Sequence, residues 1–288
     1  MTPASVTAFC PGHISGYFRR VDGKSPASTG SIGAGIVISE GVTSVVRPAG
    51  ATSITVKRVR PGAGAEEISR ESPPLASALE RIGATVRVET TCTLPISAGF
   101  GLSAAALLST LAAADRLLGL GLGADDIAEV AHETEVLFRT GLGDVAACQA
   151  GGRVVRNGPG ISGEIIRKFD ITDPLYTISF GQIPTPSVLG SPEQMAQVTA
   201  AFPDRQPAGG YDFFTLAREF SRKSRLETPR VTKVLSACDK NGIPAAMTML
   251  GEGVFACGEA AQGILAEFGE VFGMEVARMG TRILEVEA

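Results

Sequence analysis

The stretch that most constrains this chain is Pro95-Ile-Ser-Ala-Gly-Phe-Gly-Leu-Ser-Ala-Ala-Ala106, together with the helix it opens. A strand-like run from Ala84 to Thr93 leads in, with Val86, Val88 and Thr90 alternating against Arg87 and Glu89. Ser103 then stands at a natural N-cap position, and an Ala/Leu-rich segment reads as helix as far as Gly119. The first N–H groups of such a helix lack internal partners and carry the positive end of its dipole. Gly99 and Gly101 remove side chains that would keep an anion off the backbone, and Ser103 offers a hydroxyl to a phosphate or a magnesium ion. The same pattern also describes a glycine turn ahead of a buried helix, and the stretch alone leaves both readings open.

Other phosphate loops fit less well. A Walker A loop needs Lys before its Ser or Thr, and Leu102 stands there. Gly99-Phe-Gly101-Leu-Ser-Ala104 matches the dinucleotide pattern G-x-G-x-x-A. However, the preceding strand alternates, Pro95 intrudes, and no acid ends a second strand about 20 residues on. Asp125 and Asp126 read as a helix start instead.

Composition narrows the function classes. At 288 residues with 44% hydrophobic and 19% charged side chains, the chain is globular, one large domain or two modest ones. A net charge of −4 without a basic block argues against nucleic acid as a partner. No apolar run approaches the roughly 18 residues of a membrane span, and the first residues lack a secretion signal. The five cysteines are dispersed without C-x-x-C spacing and read as reduced thiols of a cytoplasmic protein. With two histidines, His-rich metal sites have little support.

Around the central stretch, Ser5 to Cys10 reads as a short strand ending in a turn at Pro11-Gly12, which presents His13. Ser25 to Ile38 reads as a hydroxyl- and glycine-rich loop, with Ser28, Thr29 and Ser31, running into a strand. Thr43–Pro48 and Thr52–Val59 alternate as two antiparallel strands, Arg60 to Ser72 reads as loop, and Pro73 begins a short helix closed by Gly83. Past Glu164 the spacing predicts strands at 165–169 and 176–180, and a turn from Gly181 to Ser187. Helices follow at 192–202, 213–224 and 229–241, then strands near 245–250 and 271–278 with a helix between.

The helix opened by Asp125 carries Ile127, Val130, Ala131, Thr134, Leu137 and Phe138 at helical spacing, which sets Glu135 beside the buried stripe and Glu133 off it. Asp144 follows in the turn Thr140-Gly-Leu-Gly-Asp, without a polar neighbour in sequence. Such an acid is either an Asx-turn or cap, or a functional carboxylate. Arg153 and Arg156 are the nearest basic residues to it in sequence, and Arg meets a carboxylate bidentately where Lys cannot.

Pro-x-x-x-Gly-x-Gly-Leu-Ser-Ala-Ala resembles the central phosphate-binding motif of the GHMP kinases. Pro11-Gly-His-Ile-Ser-Gly-Tyr-Phe18 and Gly30-Ser-Ile-Gly-Ala-Gly35 are similar to segments of the archaeal pantoate kinases, although Ile32 stands where that family commonly has Arg. Gly251-Glu-Gly253 occupies the place of the third GHMP motif.

The resemblance implies an α+β GHMP kinase fold, with a ribosomal protein S5 domain 2-like half at 1–172 and a ferredoxin-like half at 173–288. It implies ATP-dependent phosphorylation of (R)-pantoate to 4-phosphopantoate in archaeal coenzyme A biosynthesis, with ATP and Mg2+ and as a possible family homodimer. By the same resemblance Ser97, Ala98, Gly99, Phe100, Gly101, Leu102, Ser103 and Ala104 hold the ATP phosphates. Asp144, Ser103 and Glu135 form the catalytic set: Ser103 and Glu135, with Glu133 as the alternative, meet the metal, and Asp144 accepts the proton of the attacking hydroxyl or orients it; His13, Ser28 and Arg156 hold the acceptor. Other readings are a GHMP kinase for homoserine, mevalonate or shikimate, and a non-catalytic nucleotide- or metabolite-binding protein on the same fold.

Overall fold

Two long strands, β1 (Ser5–Val21) and β2 (Gly30–Pro48), run antiparallel along nearly their whole lengths and form the spine of the molecule. They belong to a computed structural model that describes residues 3–60, 62–183 and 191–288. The expected turn at Pro11-Gly12 is instead a bulge inside β1, where the register with β2 shifts. A bulge bends and re-aims a strand without ending it, so His13 lies in mid-strand opposite Val37.

β3 (Ser53–Arg60), β4 (Gly64–Ser69) and β5 (Val86–Cys92) extend the sheet. β2 and β3 are not neighbours: β5 lies between them, antiparallel to β2 and parallel to β3. β4 occupies much of the stretch expected as loop, because its pairing with β3 supplies the ladder that its polar sequence does not advertise. β6 (Arg153–Arg156) pairs with the first half of β2 and with β7 (Ile165–Lys168).

Four helices fall within this half: α1 (Pro73–Arg81), α2 (Leu102–Leu118), α3 (Ala124–Phe138) and the short α4 (Asp144–Cys148). Leu107, Leu111, Ala114 and Leu117 bury one face of α2, and Gly119 ends it in the left-handed region with its N–H on the Asp115 carbonyl. The N-cap is Gly101 and not Ser103; its φ of 62° suits glycine, and the helix starts one residue before Ser103.

A second sheet has the order β11–β8–β10–β9, from β8 (Leu175–Gln182), β9 (Ala245–Met247), β10 (Gly251–Cys257) and β11 (Phe272–Met274). The helices α5 (Pro192–Ala201), α6 (Gly210–Lys223), α7 (Pro229–Lys240) and α8 (Ala260–Ala266) accompany it. The expected turn from Gly181 to Ser187 falls at 184–187 outside the described residues. Phe213 and Phe220 of α6 meet Tyr17 and Phe18 of β1, so one hydrophobic cluster runs through both sheets. β12 (Arg282–Glu287) returns to pair with β1, so the last strand of the expected second half completes the first sheet.

Candidate active site

A cleft of about 560 Å³ opens where the loop before α2, the end of α3, the start of α4 and the first residues of β2 converge. Ser97, Gly99, Gly101, Leu102, Ser103, Glu135, Asp144, Arg156 and Ser31 line it, with Met249 and Leu250 at one edge.

The loop is built to receive an anion. Ser97, Gly99 and Gly101 have φ of 61°, 86° and 62°, an alternation of left-handed residues of the kind from which anion-binding nests are built. Ala98, Phe100, Leu102 and Ala104 are buried and anchor it in the hydrophobic core. The Phe100 carbonyl accepts from the His13 N–H at 3.0 Å, which ties the loop to β1. From the second sheet, Gly251 presses on the loop so closely that a Cβ there would lie 2.0 Å from the Ala98 carbonyl oxygen. Gly251–Gly253 thus belongs to strand β10, and the turn beside the loop is Thr248 to Leu250.

Glu135 and Glu133 separate as helical spacing requires. Glu133 is bound to Arg81 on the far side of α3, whereas Glu135 is 1% exposed and faces the cleft. Its Oε1 accepts from the Thr140 hydroxyl at 3.2 Å, and its Oε2 is buried without a partner. Burial, then the nearby Asp144 charge, pushes its pKa up to about 8, against the pull of the Ser103 and Thr140 hydroxyls.

Asp144 is the first residue of α4, and its Oδ1 lies 2.7 Å from His13 Nδ1. Burial alone would raise its pKa. The hydrogen bond to His13 and the Arg156 charge outweigh that and hold the carboxyl below its ordinary value. Arg156 is 3% exposed and donates from Nη1 to Ser31 Oγ at 3.1 Å, while its Nε has no partner. Arg153 faces elsewhere, in a bidentate pair with Asp170.

Two expected acceptor contacts lie elsewhere. His13 is fully buried behind Asp144 and does not line the cleft. Ser28 is exposed and turned back on Ser25, whose N–H it accepts at 3.1 Å and whose carbonyl it donates to at 3.2 Å. A one-turn 3-10 segment at Pro26–Ser28 uses that hydroxyl for its own closure, and Ser31 is the serine of this segment that reaches the cleft. Sequence reasoning also missed Thr140 and His132. His132 Nε2 donates to the Thr29 carbonyl at 2.9 Å and ties α3 to the segment before β2. Its signal was its place four residues after Ala128 on the buried face of α3.

Comparison with known proteins adds the lineage. Residues 69–152 match the family model described as the GHMP kinases N terminal domain. The chain is 46% identical over 279 residues to a pantoate kinase of Methanospirillum hungatei JF-1, covering 97% of this chain and 96% of that protein. A solved structure described as a phosphotransferase related to the CoA biosynthesis pathway superposes with a TM-score of 0.78 at 25% identity, over 97% of this chain and 98% of that one. A homoserine kinase from Cytophaga hutchinsonii shares the fold, with a TM-score of 0.67 at 16% identity over 99% of this chain and 98% of the other.

Proposed function

The chain belongs to the GHMP kinases and, within them, to the pantoate kinases, and we propose that its cleft transfers the terminal phosphoryl group of ATP to a hydroxyl of (R)-pantoate, giving 4-phosphopantoate for coenzyme A biosynthesis. The observation that carries this reading is one cleft lined by a loop of alternating left-handed residues at a helix start, by Asp144 and by the buried Arg156.

The backbone from Ser97 to Ala104 cradles the nucleotide phosphates, as the nest and the helix start favour. Arg156 pairs with the acceptor carboxylate, its guanidinium steadied by Ser31. Asp144 accepts the proton of the attacking hydroxyl, or orients that hydroxyl where the transition state is loose. The new bond joins the acceptor oxygen to the γ-phosphorus, the bond between that phosphorus and the β,γ-bridging oxygen breaks, and the proton ends on Asp144.

Glu135 and Ser103 are the residues that would hold Mg2+. A buried carboxylate oxygen without a partner, facing the cleft near the Ser103 hydroxyl, fits a hard cation. Mg2+ usually meets only one or two protein groups and keeps its other positions for water and phosphate. When bound it offsets charge on the phosphate oxygens.

Mg2+-dependent ADP release from ATP, with pantoate, homoserine, mevalonate and shikimate in separate reactions, tests the reading. Turnover with pantoate alone is expected. Turnover with another of the four keeps the kinase and replaces the acceptor. Silence with all four alongside measurable ATP binding would overturn catalysis in favour of a binding role.

A further inference from the structure

His13 joins the two ends of the cleft although it touches neither the cleft nor solvent. Its main-chain N–H donates at 3.0 Å to the Phe100 carbonyl of the loop, and its ring Nδ1 lies 2.7 Å from Asp144 Oδ1 on α4. The bulge at Pro11 and Gly12 sets this residue in the strand, and Gly12 is itself confined: a Cβ there would lie 2.6 Å from the same Phe100 oxygen.

The far side of the ring is sealed. Nε2 is buried with no partner, and a Cβ on Gly35 would stand 2.2 Å from it. A proton on Nε2 would therefore be buried without an acceptor, whereas a proton on Nδ1 has the Asp144 carboxylate to meet. The charged and titratable groups around the pair point the same way. Arg156 of β6 and Arg167 of β7 both oppose an imidazolium, burial opposes it more strongly, and Asp144 alone favours it. Glu135 of α3 and Cys148 of α4 also lie within electrostatic reach of Asp144.

We propose that His13 is a positioning residue for phosphoryl transfer: as a neutral ring protonated at Nδ1 it ties up Asp144 Oδ1, leaves Oδ2 for the acceptor hydroxyl, and holds that acid in register with the phosphate loop through its own main chain. The residue acts through Asp144 and contacts no substrate. This inference rests on the reading of Asp144 as the group that meets the acceptor hydroxyl.

Two substitutions and one spectrum test it. His13→Leu keeps the bulk and loses the donor, while His13→Asn places an amide N–H near the Nδ1 position. In His13→Leu, kcat should fall by at least about 10-fold with the KM of ATP and of pantoate within about 2-fold, the pattern of a contact that matters chiefly in the transition state. His13→Asn should recover most of that loss. A wild-type kcat in His13→Leu overturns the proposal. So does a raised pantoate KM at unchanged kcat, which would return His13 to acceptor binding.

Long-range 15N–1H spectra of the two histidine rings in the wild-type protein stand apart from activity and from the folding of any variant. A neutral His13 ring with its proton on Nδ1 at pH 7 is expected, and a proton on Nε2 or an imidazolium overturns the proposal. If Asp144→Asn were to keep full activity while that tautomer was observed, the reading of Asp144 would have failed and the hydrogen bond would stand.

Discussion

Arg156 occupies the space that any side chain at position 143 would need: a Cβ on Gly143 would lie 1.2 Å from Arg156 Nη1. The φ of Gly143, −160°, is not left-handed, and the nearest obstacle to a side chain there is the guanidinium itself. Gly143→Ala should push Arg156 off Ser31 and raise the pantoate KM by at least about 10-fold, with the ATP KM within about 2-fold. Steady-state kinetics with each substrate varied in turn would show it. An unchanged pantoate KM would take Arg156 out of the acceptor site.

Asp144→Asn keeps the shape of the side chain and removes the proton acceptor. The expected loss in kcat is at least about 100-fold, the usual scale for a general base. The variant should unfold within a few degrees of the parent, and single-turnover measurement would separate the chemical step from product release. A near-wild-type rate in the folded variant would remove Asp144 from the mechanism.

What could be read from the sequence, and what could not, divides by the range of the interaction. The loop from Pro95 to Ala106, the stop at Gly119 and the inward turn of Glu135 are local. Glycine freedom and the 3.6-residue period act within a few residues. The continuation of β1 through Pro11 and Gly12 depends on pairing with β2, and β12 depends on β1 across more than 270 residues. Neither leaves a signature in its own stretch. Ser28 and Ser31 look alike in a hydroxyl-rich loop, and only the 3-10 turn at Pro26–Ser28 separates them. The burial of His13 was hidden for the same reason, since its ring is enclosed between Gly35 and Asp144, which come from other segments.

Glu135 gives a pH signature without any assay of turnover. Its pKa stands near 8 in the folded protein against an ordinary 4.5. Between those values the folded state holds a proton that the unfolded chain has released, so this group's contribution to stability falls as pH rises through the window. Glu135→Gln removes the titration. Unfolding midpoints of the metal-free proteins should draw together toward pH 4.5 and separate toward pH 8, where the variant is the more stable. A difference that does not change between pH 5 and 8 would show that Glu135 titrates normally.

Arg167 holds the far end of the helix that carries Asp144. Its Nη1 donates to the carbonyls of Ala147, Ala150 and Gly151 at 2.9, 2.9 and 3.0 Å, and its Nη2 to that of Ala146 at 3.0 Å. A helix of five residues cannot satisfy its own last carbonyls, and a cation at its C-terminal end suits both the orphan oxygens and the dipole. Arg167→Met should cost about 2–4 kcal/mol in denaturant unfolding, the scale for removing a charged donor from partly buried acceptors. Because Asp144 begins the same helix, kcat should fall as well. Arg167→Lys should restore only part of both, since one ammonium cannot span four carbonyls in the geometry of a planar fork. Full stability in Arg167→Met would show that α4 is held by its packing alone.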